Sequence, residues 1–178
     1  MNFVIAAAYQ WQKEGRKNTT NNSEMAIQQI IAHVNNRFKP TAKGVDYKID
    51  YRRLRASAGK TMLDSIIKRI EKANVVIIDI THPNPNVFLE LGIAIYYSKQ
   101  NAAFSFYLIK EKQEGKKPTD ELPSDLQGLF ITQYSLKNGK VSFDDGGSLR
   151  MSIIGDVKEY YNNLGKSKQV IDEINEFN

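Results

Sequence analysis

Glu90 is the residue of this sequence that packing alone explains least well. It carries the one full charge between Asp79 and Lys99, where the chain reads Asp-Ile-Thr-His-Pro-Asn-Pro-Asn-Val-Phe-Leu-Glu-Leu-Gly-Ile-Ala-Ile-Tyr-Tyr-Ser-Lys. An ionised carboxylate in apolar surroundings must find hydrogen-bond donors, take up a proton or face a cavity. We therefore expect Glu90 to belong either to a ligand site or to a buried salt bridge with an arginine such as Arg55.

The composition limits the chemistry that can surround Glu90. The chain has 178 residues, 41% of them hydrophobic and 25% charged, which is typical of one globular domain. We expect a single domain over residues 1–178, with 148–178 as a C-terminal helical extension. With no cysteine and two distant histidines, we expect no metal site and no cysteine nucleophile. Catalysis would rest on carboxylates, hydroxyls, amides or bases.

Charge and hydropathy indicate the surroundings in which the protein works. The net charge of +5 comes from 25 basic and 20 acidic residues, a mixed surface that does not predict nucleic-acid binding. No apolar run reaches the roughly 18 residues of a membrane span, and the first residues lack a signal-peptide pattern, so we expect a cytoplasmic protein. One local basic cluster would either contact phosphates or form a solvated loop: Lys48, Arg52, Arg53, Arg55 and Lys60.

The hydrophobic pattern predicts alternating strands and helices. Continuous apolar runs predict buried strands at Phe3 to Ala8, Val75 to Ile80, Phe104 to Ile109 and Leu129 to Tyr134, and alternation predicts an edge strand at Tyr47 to Tyr51. Helical spacing predicts helices at Ser23 to Phe38, Met62 to Ala73, Pro85 to Lys99, Ser148 to Asn163 and Gln169 to Phe177. This order favours an α/β fold with a flavodoxin-like open sheet, mostly parallel, with strand order 2-1-3-4-5 and helices on both faces. Lys137-Asn138-Gly139-Lys140 predicts a type I′ hairpin that adds an antiparallel edge.

Open parallel sheets bind ligands beyond the carboxyl ends of their strands, where neighbouring connections leave to opposite faces. In the predicted order this crevice lies between the first strand, which Tyr9 follows, and the third, which Asp79 ends. The loop from Thr81 to Asn86 overhangs the crevice, and Glu90 lies about one and a half turns into the next helix. Gly92, unfavourable in a helix by about 1 kcal/mol, indicates close packing or space for a ligand.

Each of these residues also has an ordinary structural interpretation. Asp79 can cap the following turn through Thr81 or Asn84, as aspartates at strand ends often do. Tyr9 can be a packed aromatic residue instead of a ligand contact. The segment from Gln10 to Asn22, which contains Trp11, can be a flap over the crevice or a polar loop.

The predicted helix from Pro85 bears on assembly. It is apolar nearly all round, with Phe88, Ile95 and Tyr96 outside a single core-facing stripe. We therefore expect a homo-oligomer, at least a dimer, that packs partly through this helix.

Two stretches of the sequence resemble a known superfamily. Asn74-Val-Val-Ile-Ile-Asp-Ile-Thr followed by Asn84-Pro-Asn-Val-Phe-Leu-Glu-Leu-Gly-Ile-Ala resembles the signature of nucleoside 2-deoxyribosyltransferase-like proteins and the related bacterial TIR-like proteins. Leu122-Pro-Ser-Asp-Leu-Gln-Gly-Leu, with Tyr134, is similar to a second stretch of the TIR-like group. The likeness spans Phe3 to about Tyr134.

The resemblance implies roles for individual residues. Glu90 matches the family's catalytic glutamate, which attacks C1′ of a ribose or deoxyribose or stabilises the cation formed there as the base departs. Asp79 matches an acid that contacts the base or sugar, and Tyr9 stands where a first-strand aromatic helps to position the glutamate. We expect further substrate contacts from Thr81, Asn84, Asn86, Gly92 and Arg55. The chain departs from the salvage enzymes, which usually carry a second acid in the loop where this chain has only Asn84 and Asn86.

That departure favours the TIR-like branch, whose members often cleave NAD or process nucleotides in antiphage defence. The leading expectation is cleavage or transfer of the N-glycosidic bond of NAD or of a nucleoside or nucleotide, with no cofactor and with NAD as a substrate. The alternatives are a non-catalytic nucleotide-sensing module and a salvage nucleoside deoxyribosyltransferase. The expected partners are the nucleotide ligand, further copies of the chain and a defence-system protein.

Overall fold

A six-stranded sheet forms the centre of the protein. The computed structural model describes residues 2–10, 22–37, 48–54, 61–82, 84–120 and 122–176, with side chains up to residue 166. The strands are β1 (Phe3–Ala8), β2 (Ile49–Arg53), β3 (Val75–Asp79), β4 (Ser105–Glu111), β5 (Ile131–Lys137) and β6 (Lys140–Phe143). They lie in the order β2-β1-β3-β4-β5-β6, so the fold is α/β with a flavodoxin-like open sheet, as the sequence predicts.

Helices cover both faces of this sheet. They are α1 (Asn22–Arg37), α2 (Met62–Glu71), α3 (Pro85–Gln100) and α4 (Ser148–Glu176). Side chains alternate along the strands, so β1 sends Phe3, Ile5 and Ala7 to the face covered by α1 and α4. The opposite face packs Val4, Ala6 and Ala8 against α2 and α3. Both faces of the central strands are buried, which explains their uninterrupted apolar sequences.

Local sequence explains where α3 begins. Asn84 is its N-cap, with a side chain that accepts a hydrogen bond of 3.0 Å from the backbone N–H of Val87, and Pro85 occupies the first helical turn. A proline there forfeits no helical hydrogen bond. The predicted start of this helix is therefore confirmed, and its first turn lies at the carboxyl end of β3.

The hairpin between β5 and β6 is also confirmed. The two strands are antiparallel, with Lys137 opposite Lys140. Asn138 and Gly139 have φ angles of 51° and 73°, as both central residues of a type I′ turn require. The hairpin adds β6 as the sixth strand, which is antiparallel and lies at the edge of the sheet.

The C-terminal segment differs from the prediction of two helices separated near residue 165. It is one continuous helix, α4, because a single glycine such as Gly165 weakens a helix without ending it. The first half of α4 also contributes to the core, where Leu149, Ile153 and Val157 pack against the sheet. The N-terminal half of residues 148–178 thus belongs to the domain core.

The same substitution at two glycines should change stability in opposite directions. At Gly139 the positive φ disfavours a side chain, so we expect Gly139→Ala to lower the free energy of unfolding by about 1 kcal/mol. Gly155 lies on the exposed side of α4 with nothing within 4 Å of an added Cβ, so we expect Gly155→Ala to raise it by up to about 1 kcal/mol. Urea unfolding of both variants measures the effects, and equal signs would contradict the described turn or helix.

Candidate functional site

The carboxyl ends of β1 and β3 lie side by side, at the point where the chain's connections diverge. β1 leads into α1 on one face of the sheet, whereas β3 leads into α3 on the other. Such a divergence leaves a crevice at the sheet edge. Tyr9 follows β1 and Asp79 ends β3, so the prediction that the two residues lie at the same end of adjacent strands is confirmed.

Asp79 is buried and its carboxylate is used within the protein. Its side chain is 2% exposed. Oδ1 accepts hydrogen bonds from the backbone N–H, at 2.7 Å, and the hydroxyl of Thr81, and Oδ2 accepts one of 2.7 Å from the Tyr134 hydroxyl. Ser23, at the start of α1, is a further hydrogen-bonding neighbour. Burial raises the pKa of Asp79, and the hydrogen bonds from Thr81 and Tyr134 oppose that rise.

Thr81 extends this network to the next strand. Its hydroxyl oxygen accepts a hydrogen bond of 2.7 Å from the backbone N–H of Glu111, the last residue of β4. The Glu111 carboxylate in turn accepts bonds of 3.1 Å from the side-chain amide of Asn22 in α1. Thr81 is buried, and its hydroxyl links Asp79 to the end of β4. Its contact with a substrate stays a prediction.

Glu90 contrasts with Asp79. Its side chain is 7% exposed and lies on the same helical face as Val87, Leu91 and Ala94, which are buried. Among the described residues, no hydrogen bond or ion pair reaches its carboxylate. Burial raises the pKa of Glu90 to about 7, against a partial lowering by the charge of Arg53. Catalytic acids are often found in such surroundings, where the carboxylate is desolvated and has no hydrogen-bond donor.

Arg53 ends β2 and stacks on Tyr9. Its guanidinium carbon lies 4.1 Å from the centroid of the Tyr9 ring, a cation–π distance. The adjacent strands hold this arrangement, because Arg53 pairs with Ala7 in the parallel register of β1 and β2. Burial and the neighbouring Tyr9 phenol raise the pKa of Tyr51, two residues earlier on the same strand. Tyr9 is therefore a packed aromatic at the carboxyl end of β1, and its predicted contact with a ligand stays a prediction.

The structure distributes the remaining predicted site residues differently. Asn84 caps α3, and Asn86 is exposed in its first turn near the crevice. Gly92 lies on the exposed side of α3, about half a turn round the helix from Glu90, and an added Cβ would meet nothing within 4 Å. Of the two interpretations of Gly92, close packing is therefore not present and open space lies beside it, while its contact with a substrate stays a prediction. It lines a groove between α2 and α3 instead of the crevice.

Three sequence predictions fall outside the described residues. These are the role of Arg55 as a substrate contact or a partner for Glu90, the segment after Gln10 that contains Trp11, and the phosphate contact of Lys60.

Two residues of the site were not assigned their roles from sequence. Tyr134 was expected at the end of a strand and in the second stretch that resembles TIR-like proteins, and its hydroxyl proves to be a donor to Asp79. Arg53 was expected only as a member of a basic cluster. The sequence signal for Arg53 was its distance of two residues from Tyr51. Residues two apart on a strand share a face, so the spacing predicts that Arg53 lies on the same face as this tyrosine.

Comparisons with known proteins add no relative to this description. No family model, no curated protein and no solved structure matches the chain. Within the part of the chain that the structure describes, no group of three or more metal-ligating side chains converges. None of the described helices combines the length and hydropathy of a membrane span.

The Glu90 carboxyl group has the chemistry to stabilise positive charge on a ligand. When ionised, Glu90 presents a negative charge in a poorly solvated setting, where electrostatic interactions are stronger than in water. A carboxylate so placed can stabilise an oxocarbenium-like cation or attack it to form an ester. With a pKa near neutrality, Glu90 can also exchange a proton with a substrate.

The raised pKa predicts how stability depends on pH. Folded Glu90 holds its proton up to a pKa of about 7, compared with an ordinary value of 4.5, so the folded state binds more protons between these values and wild-type stability falls as pH rises through them. Glu90→Gln has no such group. We expect the unfolding free energy of Glu90→Gln, minus that of the wild type, to increase by about 3 kcal/mol between pH 4.5 and pH 8.

Urea unfolding at a series of pH values measures this difference. Glu114→Gln is the matched control, because Glu114 is exposed in a turn and its substitution should leave the pH dependence unchanged. A constant difference between wild type and Glu90→Gln across the range would show that Glu90 does not titrate from a desolvated site.

Proposed function

We propose that this protein cleaves or transfers the N-glycosidic bond of a nucleotide in the cytoplasm, acting on NAD or on a nucleoside or its phosphate. Glu90 carries the proposal, because it is a buried carboxylate that accepts no hydrogen bond from any described residue and lies by the carboxyl edge of a parallel sheet. A charge kept in that state reduces stability, so it is more readily explained by function than by folding.

The reaction type follows from what one carboxylate can do. As the bond between C1′ and the base nitrogen breaks, its electron pair leaves with the base and positive charge develops on the sugar. Glu90 would stabilise that charge or form an ester with C1′, and water or an acceptor base would then bond to C1′, displacing the Glu90 carboxylate where the ester has formed. In hydrolysis, water adds to C1′ and releases a proton to solvent.

NAD fits a site with a single available acid. Its nicotinamide is a cationic leaving group that becomes neutral when it takes the electron pair, so little acid assistance is needed. Asp79 is committed to Thr81 and Tyr134, which leaves Glu90 as the acid for the reaction. The same observation weakens the salvage deoxyribosyltransferase alternative, for which the resemblance implies a second loop acid.

A non-catalytic nucleotide-sensing module is the second candidate. The internal use of Asp79 favours it, since the carboxylate matched to a base or sugar contact is occupied by protein donors. A sensor would retain its ligand intact, whereas an enzyme would release the base. The resemblance of residues 74–94, and of 122–129 with Tyr134, to TIR-like proteins supports a role in antiphage defence with a defence-system partner protein.

Substitution of Glu90 tests the catalytic proposal. Glu90→Gln retains size but removes the negative charge, so we expect base release from the cleaved substrate to fall by about 10²-fold or more. Mass spectrometry of NAD and a panel of nucleosides and nucleotides, incubated with wild type and variant, measures the loss. Glu114→Gln should keep the wild-type rate. A folded Glu90→Gln variant with undiminished base release would exclude a catalytic Glu90, and retention of intact ligand by the wild type would favour the sensor.

We also propose that the protein forms a homo-oligomer through α3. Leu89 and Tyr96, the latter 66% exposed, border an apolar groove of about 420 Å³ between α2 and α3. A charge buried in such an interface is strongly unfavourable, so we expect Tyr96→Asp to reduce the mass in solution.

Light scattering at micromolar concentration measures this mass. Met151→Asp is the control, because Met151 is an exposed apolar residue on α4 and its substitution should leave the assembly intact. A monomeric wild type would contradict the proposal.

A further inference from the structure

A cavity lies in a gap of the sheet between β4 and β5. β4 pairs with β3 from Ser105 onward, whereas its pairing with β5 begins only at Leu108. Among the described residues, the edge of β4 before Leu108 therefore has no strand paired with it on this side. A cavity of about 360 Å³ opens there, with walls from α4 and from both faces of the sheet, such as Phe106 on one face and Tyr107 on the other. We call it the gap cavity, and its volume is that of a small-molecule site.

Backbone groups of β4 point into this gap. The Ser105 N–H donates a hydrogen bond of 3.0 Å to the Asn74 carbonyl on the β3 side, whereas the Lys112 N–H donates one of 2.7 Å to the Tyr134 carbonyl in β5. Successive residues of a strand direct their N–H and C=O groups to alternate sides, so the even-numbered residues here face β5. Phe106 is one of them and lies before the pairing with β5 begins. Its N–H and C=O therefore place a donor and an acceptor side by side at the cavity wall.

Thr132 adds a hydroxyl to the same wall. The residue is 3% exposed and lines the gap cavity. Its side chain forms no hydrogen bond with any of the described residues. A buried hydroxyl without a partner lowers stability, because it has lost its bonds to water. The position of this hydroxyl at a cavity therefore points to a ligand that supplies the missing partner.

The remaining walls are aromatic or carry hydroxyl groups. Tyr107 is fixed as a wall, because its own hydroxyl donates a hydrogen bond of 2.8 Å to Asp156 in α4. Phe130 directly precedes β5 and is 79% exposed, and Ser148 and Ser152 line the cavity from α4. None of the described residues that line the cavity is charged, so a charged ligand would lose its hydration without compensation. Aromatic walls favour a planar ring.

We propose that the gap cavity binds an uncharged, planar heteroaromatic ring with an adjacent hydrogen-bond donor and acceptor, the chemistry of a free nucleobase or of nicotinamide. The edge of the ring bonds to the backbone N–H and C=O of Phe106 and to the Thr132 hydroxyl. Tyr107 and Phe130 contact its faces. This inference does not depend on the function of Glu90, because α3 lies on the opposite face of the sheet from α4.

NMR titration of the full chain with nicotinamide and with adenine tests the site. We expect saturable shifts of the backbone amide signals of residues 106–108, 129–132 and 148–152, with a Kd of about 1 mM or lower. Nicotinate has the same ring with a carboxylate that is charged at neutral pH. We expect it to bind about tenfold more weakly than nicotinamide, since the cavity offers its charge no partner.

Two variants and a control identify the groups that hold the ring. Thr132→Val replaces the hydroxyl with a methyl group of similar size, and Phe130→Ala removes an exposed aromatic side chain. Each should raise the Kd about tenfold. Met151→Ala is the matched control, because Met151 is exposed on α4 and lies outside the cavity lining, so its Kd should equal that of the wild type. If Thr132→Val does not fold, Phe130→Ala decides.

Four results would overturn the inference. With both probes at millimolar concentration, the signals of the three segments could stay unchanged, or the shifts could be confined to residues 84–90, which would place the ring in the crevice. Equal Kd values in wild type, Phe130→Ala and Thr132→Val would exclude the proposed contacts. Nicotinate that binds as tightly as nicotinamide would exclude an uncharged ligand. A wild-type oligomer that dissociates in Phe130→Ala, without shifts from the probes, would instead make this face a contact between copies of the chain.

Discussion

The buried carboxylate of Asp79 is the acceptor around which the functional edge of the sheet is arranged. Its two oxygens bind the turn that follows β3 through Thr81 and the middle of β5 through Tyr134. Thr81 then fixes the end of β4, and Glu111 there connects to α1 through Asn22. A carboxyl group so deeply buried is tolerated only when its oxygens are hydrogen-bonded, which makes this geometry strongly specified. The path of the chain from β3 into α3, and with it the placement of Glu90, depends on that turn.

The two acidic residues of the site thus differ in their surroundings, although the sequence motif suggests that both act on a substrate. Asp79 receives hydrogen bonds from backbone, threonine and tyrosine and has a structural role. Glu90 receives none from the described residues and has a pKa near neutrality. The difference arises from position: a strand end lies among backbone donors, whereas the middle of a helix has every nearby N–H already bonded to a carbonyl of the preceding turn. A carboxylate on the buried side of α3 can obtain charge compensation only from another element, and among the described residues it is the charge of Arg53 in β2 that lowers the pKa of Glu90.

Much of the fold follows from local pattern. Continuous apolar runs predict β1 and β3, Asn84 and Pro85 predict the start of α3, and Asn138 with Gly139 predicts the closing hairpin, because each feature depends on residues adjacent in the chain. The prediction of two C-terminal helices was wrong, because a single glycine lowers helix stability locally without ending α4 near residue 165. Gly92 shows the same limit: its cost in a helix is local, but what lies beside it depends on how α2 and α3 pack.

The sequence by itself determined the class of fold, the order of its elements and the isolation of Glu90, because hydrophobic period and the absence of neighbouring charge are properties of the chain alone. Only the tertiary structure decided which groups surround that acid. Thr81 is a local partner of Asp79, as the sequence predicts, but Tyr134 lies 55 residues from Asp79, and the charge that lowers the pKa of Glu90 belongs to residue 53; no local pattern encodes these longer separations. The register of the strands and the packing of the helices select long-range electrostatic and hydrogen-bonding partners. Arg53 and Tyr134 therefore acquire their roles only when the strands have paired and their carboxyl ends lie together.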